Sequence, residues 1–130
     1  NLPVPLIIAH GVPQHSYTIF SPPGCVAKLT KQFLEGFSRL EGYELFGIRD
    51  PERVAERVPT FSFRHKDIPS REVAKRLGQA GIFTWHGNFY AQPVTEALGL
   101  EPEGLVRAGF LHYSTREEVE RLLEKMSRLV

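Results

Sequence analysis

Cys25 is the only cysteine in the 130-residue chain, so an intramolecular disulfide cannot form. Neither sign of charge is in excess: the formal net charge of +1 argues against a dedicated nucleic-acid binder, which would show a strong basic surplus. It also gives no reason to expect an acidic membrane surface as partner. Long apolar runs are missing. The apolar opening NLPVPLIIAHG is interrupted by Pro3 and Pro5 and has no basic lead, so it reads neither as a signal peptide nor as a membrane span. The sequence opens on Asn1 rather than methionine, as expected of a processed or trimmed product. His10, His15, His65, His86 and His112 form no close pair, and with one distant cysteine they give a structural zinc site little support. Phosphate-binding loops, dinucleotide fingerprints and a serine nucleophile elbow are absent from the sequence.

What is present is a chain of single-domain length, with the 42% hydrophobic and 24% charged content of a soluble globular protein. Residues 1–24 hold five of the ten prolines and read as an irregular arm, closed by the break Pro22-Pro23-Gly24. Residues 25–130 are regular. Val26, Leu29, Phe33, Leu34, Phe37 and Leu40 paint one face of a helix that Gly42 is placed to end. YELFGI and VPTFSF read as strands, Pro59 marking an edge or a strand beginning, with DPERVAER as a polar connection between them. A second helix follows, with Ser70 as N-cap, Val73, Ala74 and Leu77 inward, and Gly81 as stop. GIFTW reads as a third strand, PVTEALGL as a short helix and LVRAGFLHY as a fourth strand. The final helix carries Val119, Leu122, Leu123, Met126 and Leu129 on its buried stripe, and both Ser114 with Glu117 and Thr115 with Glu118 fit a capping box. This order predicts an α+β fold: a small, mainly antiparallel sheet with helices packed on one face, preceded by the irregular arm.

Two groups of residues stand out. Arg107 lies inside an apolar strand, where a guanidinium is costly unless partnered. It reads either as an arginine at a sheet edge or paired with a local carboxylate, or as a fork for a ligand carboxylate. The loop WHGNFYAQP offers His86, Asn88, Tyr90 and Gln92 as donors and acceptors. Its rings Trp85, Phe89 and Tyr90 read as core plugs with the polar groups facing water, as a substrate-side rim or, against the near-neutral charge, as a base-stacking surface.

RVPTFSFR, SREVAKRLGQAGIFTWHGNFYAQP and LVRAGFLHYSTREEVERLL, in that order and spacing, resemble the C-terminal small domain of class V aminotransferases, the pyridoxal-phosphate enzymes that include cysteine desulfurases. The resemblance covers roughly four fifths of the chain and leaves residues 1–28 unmatched. It implies that Arg107 holds the α-carboxylate of an amino-acid substrate and that His86, Asn88 and Tyr90 line the substrate entrance. Tyr90 stands where sulfur-carrying relatives have a cysteine, which puts persulfide chemistry by that route in doubt. The family's cofactor lysine has no counterpart among Lys28, Lys31, Lys66, Lys75 and Lys125, so pyridoxal phosphate is implied for a complete enzyme but not expected to bind this chain alone. Catalytic and metal-binding residues are not expected within the chain. The implied partners are an amino-acid substrate and either a large-domain partner or a second copy of the chain, with no nucleic acid and no membrane, in the cytoplasm. The alternative is a non-enzymatic module that binds an amino or keto acid or dimerises through an orphaned apolar surface. An independent hydrolase or metal enzyme has the least support.

Overall fold

A computed structural model describes residues 25–129; the proline-rich segment 1–24 lies outside the described residues. Helix α1 spans Cys25–Phe37 and buries Leu29, Phe33, Leu34 and Phe37, the stripe set by their helical spacing. It ends at Phe37, short of Gly42. Gly42 instead takes a φ of 79° at the turn into strand β1, Tyr43–Phe46. The connection expected after β1 is a 3-10 helix, Pro51–Glu56, started by Asp50, whose carboxylate accepts from Glu52 N at 2.9 Å.

Strand β2 is Thr60–His65 and alternates half-buried with buried residues along its length. Pro59 directly precedes it; the beginning-of-strand reading holds, while the edge reading does not, because β2 lies between β1 and β4. Helix α2, Ser70–Gln79, starts one residue earlier than the expected cap at Ser70 implied. Pro69 occupies the cap position, and Ser70 is buried, its hydroxyl donating to Gly104 O at 3.2 Å. Glu72 and Arg76 pair across one turn at 2.9 Å, an exposed contact worth a few tenths of a kcal/mol.

The third strand is displaced from its expected position. Of GIFTW only Trp85 is paired; β3 is Trp85–Gly87, the first three residues of the loop singled out above. Helix α3, Gln92–Ala97, follows a turn at Asn88–Ala91. Strand β4, Leu105–Gly109, is shorter than LVRAGFLHY. Beyond it Phe110 N donates to Pro59 O, and a turn through Leu111–Ser114 leads into helix α4, Arg116–Ser127. Of the two possible capping boxes, Thr115 with Glu118 forms. Ser114 Oγ accepts from Leu111 N instead.

All strand pairs are antiparallel, in the order β1-β2-β4-β3. Phe61 and Phe63 of β2 and Val106 and Ala108 of β4 point to one face and join Phe33, Phe37, Leu77, Leu122 and Met126 in a single core. Phe33 is fully buried, its ring 4.2 Å from that of Phe61 and 5.5 Å from that of Phe110. Helices α1, α2 and α4 therefore cover one face of the sheet, the expected α+β architecture. No helix among the described residues is long and apolar enough to cross a membrane.

Candidate functional site: an arginine on the open sheet face

The antiparallel register lines up one residue from every strand on the face away from the core. Phe46 pairs with Ser62, Ser62 with Arg107, and Arg107 with Trp85. These four side chains form a transverse row on the open face, because neighbours across a ladder share a side. Arg107 is inside this row, flanked by a small hydroxyl on one side and an indole on the other.

Neither ordinary explanation for a strand arginine applies. Strand β4 is interior, so Arg107 is not at an edge. Its guanidinium makes no ion pair or hydrogen bond with any described residue, and its Nε is buried without a partner. Arg57 shows what a structurally satisfied arginine looks like here: it donates to Ile48 O, Thr60 O and Val58 O at 2.5, 2.7 and 3.1 Å. Burial pulls the pKa of Arg107 below the ordinary arginine value. The ordinary value is so high that the group stays charged.

The aromatic residues of the loop do not plug the core. Trp85 is 60% exposed and Tyr90 fully exposed, because β3 is an edge strand and the chain after it curls over the open face. Phe89 is half-buried, with its ring centroid 4.0 Å from the Arg107 guanidinium carbon. Phe89 and Tyr90 have φ values of 54° and 63°, two consecutive left-handed residues without glycine. Asn88 secures this turn: its side-chain oxygen accepts from Tyr90 N at 3.1 Å and its carbonyl from Ala91 N at 2.8 Å.

The expected site residues thus separate. Asn88 shapes the turn, Tyr90 projects from it, and Arg107 lies beneath Phe89. His86 pairs with Val106, so alternation sends it to the other side of the sheet from Arg107. Gln92 Nε2 bonds Glu96 within α3 at 2.7 Å. Sequence reasoning missed Phe89 as the partner of Arg107, as well as Ser62 and Trp85 as its flanks. The register of β4 against β2 and β3 was the only signal for the flanks, and a left-handed turn at Phe89 leaves no composition signal at all.

The lysines do not fit a cofactor site on this face. Lys28, Lys31, Lys75 and Lys125 lie on helices of the covered side, where Lys31 pairs with Glu52 and Lys75 approaches Glu72. Lys66 directly follows β2. No described lysine shares the row of Arg107.

The described residues thus form an antiparallel sheet covered by helices on one face, with an arginine on the other that has no hydrogen-bonding or anionic partner among them. The family model of aminotransferase class V matches residues 25–122, and the chain belongs to that family, whose members depend on pyridoxal phosphate. The chain is 32% identical over 90 residues to a nonribosomal peptide synthetase-like enzyme of Aspergillus fumigatus, covering 68% of this chain and 6% of that protein. It is 27% identical over 101 residues to a probable cysteine desulfurase of Staphylococcus epidermidis, covering 78% of this chain and 23% of the relative. The apo structure of cysteine desulfurase from Thermococcus onnurineus NA1 superposes with a TM-score of 0.72 at 33% identity, over 81% of this chain and 25% of that one. The chain therefore spans a quarter or less of the length of each of these relatives.

Proposed function

We propose that the chain is the small-domain portion of a pyridoxal-phosphate-dependent class V enzyme acting on an amino acid, and that Arg107 binds the substrate's α-carboxylate. The observation that carries this reading is the charged guanidinium on an interior strand, on the face left open by the helices, without an anionic partner among the described residues. A carboxylate offers two parallel acceptors to that fork and neutralises its charge where solvent is partly excluded.

The cofactor, when bound, supplies the electron sink for chemistry at the amino acid's α-carbon. Its covalent anchor lies outside the described residues, since no described lysine faces Arg107; the chain by itself is a carboxylate-binding half-site. Asn88 and Tyr90 form the rim, and His86 belongs to the outer edge of β3. A phenol at position 90 cannot act as a sulfur-accepting thiolate, which favours transamination or elimination over persulfide transfer.

Trp85 is the only tryptophan in the chain and lies directly opposite Arg107, so its fluorescence reports on the site. Titration with pyruvate or L-alanine at constant ionic strength should give a saturable change. Arg107→Lys should weaken binding by about tenfold or more, because an ammonium cannot make the bidentate fork. Equal affinity in the wild type and in Arg107→Lys would remove the reading.

A further inference from the structure

We infer that Phe89 is a positioning residue for Arg107: the strained turn after β3 exists to lay this ring on the guanidinium and fix the edge it presents to a carboxylate. The inference rests on the carboxylate reading of Arg107 and adds a residue to it.

Three observations converge. The first is the stack itself, with 4.0 Å between the guanidinium carbon and the Phe89 centroid, a distance at which the electron-rich ring face attracts the cation. The second is the way the ring is delivered. Phe89 and Tyr90 both hold left-handed backbone, at φ 54° and 63°, where a side chain with a Cβ costs roughly 1–2 kcal/mol per residue. Strain of that kind persists only where the surroundings over-determine it, and here the Asn88 turn does so with two hydrogen bonds. Gly87, at φ 125°, turns the chain into it with a conformation L side chains rarely adopt. The third is the state of the cation. Arg107 has no hydrogen bond or ion pair among the described residues to hold its rotamer, and its Nε is shut away from solvent. Its long side chain would otherwise sample several rotamers, and fixing it only when a ligand arrives would weaken binding.

The ring removes that freedom beforehand. A ring centred 4.0 Å from the guanidinium carbon can cover one face of the planar group and leave its in-plane N–H groups to a carboxylate, which makes its parallel bonds from that direction. Since Nε is inaccessible, the edge presented is the pair of Nη atoms. Ser62 and Trp85 flank Arg107 within the row, so the small Ser62 side is the open approach.

The test compares Phe89→Leu, which keeps an apolar side chain but removes the ring, with Phe89→Tyr, which keeps the ring. Two quantities are read: pyruvate affinity by Trp85 fluorescence, and the Arg107 side-chain N–H resonances by NMR. In the wild type these resonances should sit upfield through the ring current of Phe89. Phe89→Leu should return them to the ordinary range and raise Kd about threefold to tenfold, while Phe89→Tyr retains both wild-type values. A wild type without the upfield shift, a Phe89→Leu variant that binds as the wild type does, or a Phe89→Tyr variant as weak as Phe89→Leu would each overturn the positioning role. A wild type that gives no saturable change with pyruvate overturns the carboxylate reading itself. Saturable binding that Arg107→Lys loses and Phe89→Leu keeps removes Phe89 alone.

Discussion

Gly104 is the position where a single methyl group should do the most damage near the site. It precedes β4 with a φ of 65°, and a Cβ built there would fall well inside contact distance of the carbonyl carbon and oxygen of Gly87, which are backbone atoms with no rotamer to escape into. Gly104→Ala thus combines two costs. Left-handed backbone with a Cβ costs roughly 1–2 kcal/mol. The clash forces β3 away from β4 at the Gly87–Leu105 pair, losing ladder hydrogen bonds worth about 1 kcal/mol each. The total is about 3 kcal/mol. Gly99 separates the two, since it has a similar φ of 69° with nothing within 4 Å of an added Cβ. Gly99→Ala should cost only the conformational part. Urea denaturation of both variants, followed by far-ultraviolet circular dichroism and Trp85 fluorescence, gives the difference directly. A Gly104→Ala variant no less stable than Gly99→Ala would refute the close approach of these two segments and with it the placement of β3.

Two further predictions concern the other end of the fold. The Tyr43 hydroxyl donates to Met126 O at 2.9 Å, and burial, opposed by the charge of Arg76, pushes its pKa up to about 12. The unfolded chain loses this proton near pH 10, so the contribution is fully present below that pH and is lost as pH rises through about 12. Tyr43→Phe should cost about 1 kcal/mol at neutral pH and flatten the alkaline fall, as read by urea melts between neutral and alkaline pH; an unchanged alkaline slope would contradict the assignment. At the start of α4, Thr115→Ala should cost about 1 kcal/mol, whereas Ser114→Ala removes only the acceptor of Leu111 N and should leave helix content intact. Helical circular dichroism and thermal melts of the pair decide it, and the reverse ranking would mean that the other capping box forms in solution.

Elements whose own faces dictate burial were legible from sequence. The α1 stripe through Phe33 and Phe37, the alternation of β2 and the α4 stripe through Val119, Leu122 and Met126 each buried as their periodicity requires. Elements defined by a distant partner were not. Strand β3 is three residues long and exists because β4 pairs with it, so the apolar run GIFT just before it misled the reading. Ser70 looked like a cap by residue type, but Gly104 claimed its hydroxyl. Arg107 was conspicuous because a charge inside an apolar strand is anomalous in any context. The ring above it depends on two positive φ angles that no residue preference announces.

The strand order also has a consequence for the nascent chain. Strand β3 is synthesised before β4, yet β4 separates it from β2 in the finished sheet. Until Leu105–Gly109 has left the ribosome, β2 and β3 have no shared neighbour, and Trp85 and the Asn88 turn belong to a tether rather than to a surface. The row of Phe46, Ser62, Arg107 and Trp85 is therefore complete only once the interior strand β4 pairs with both β2 and β3. A pause or truncation before that point would leave the β2 edge open to strands from other chains.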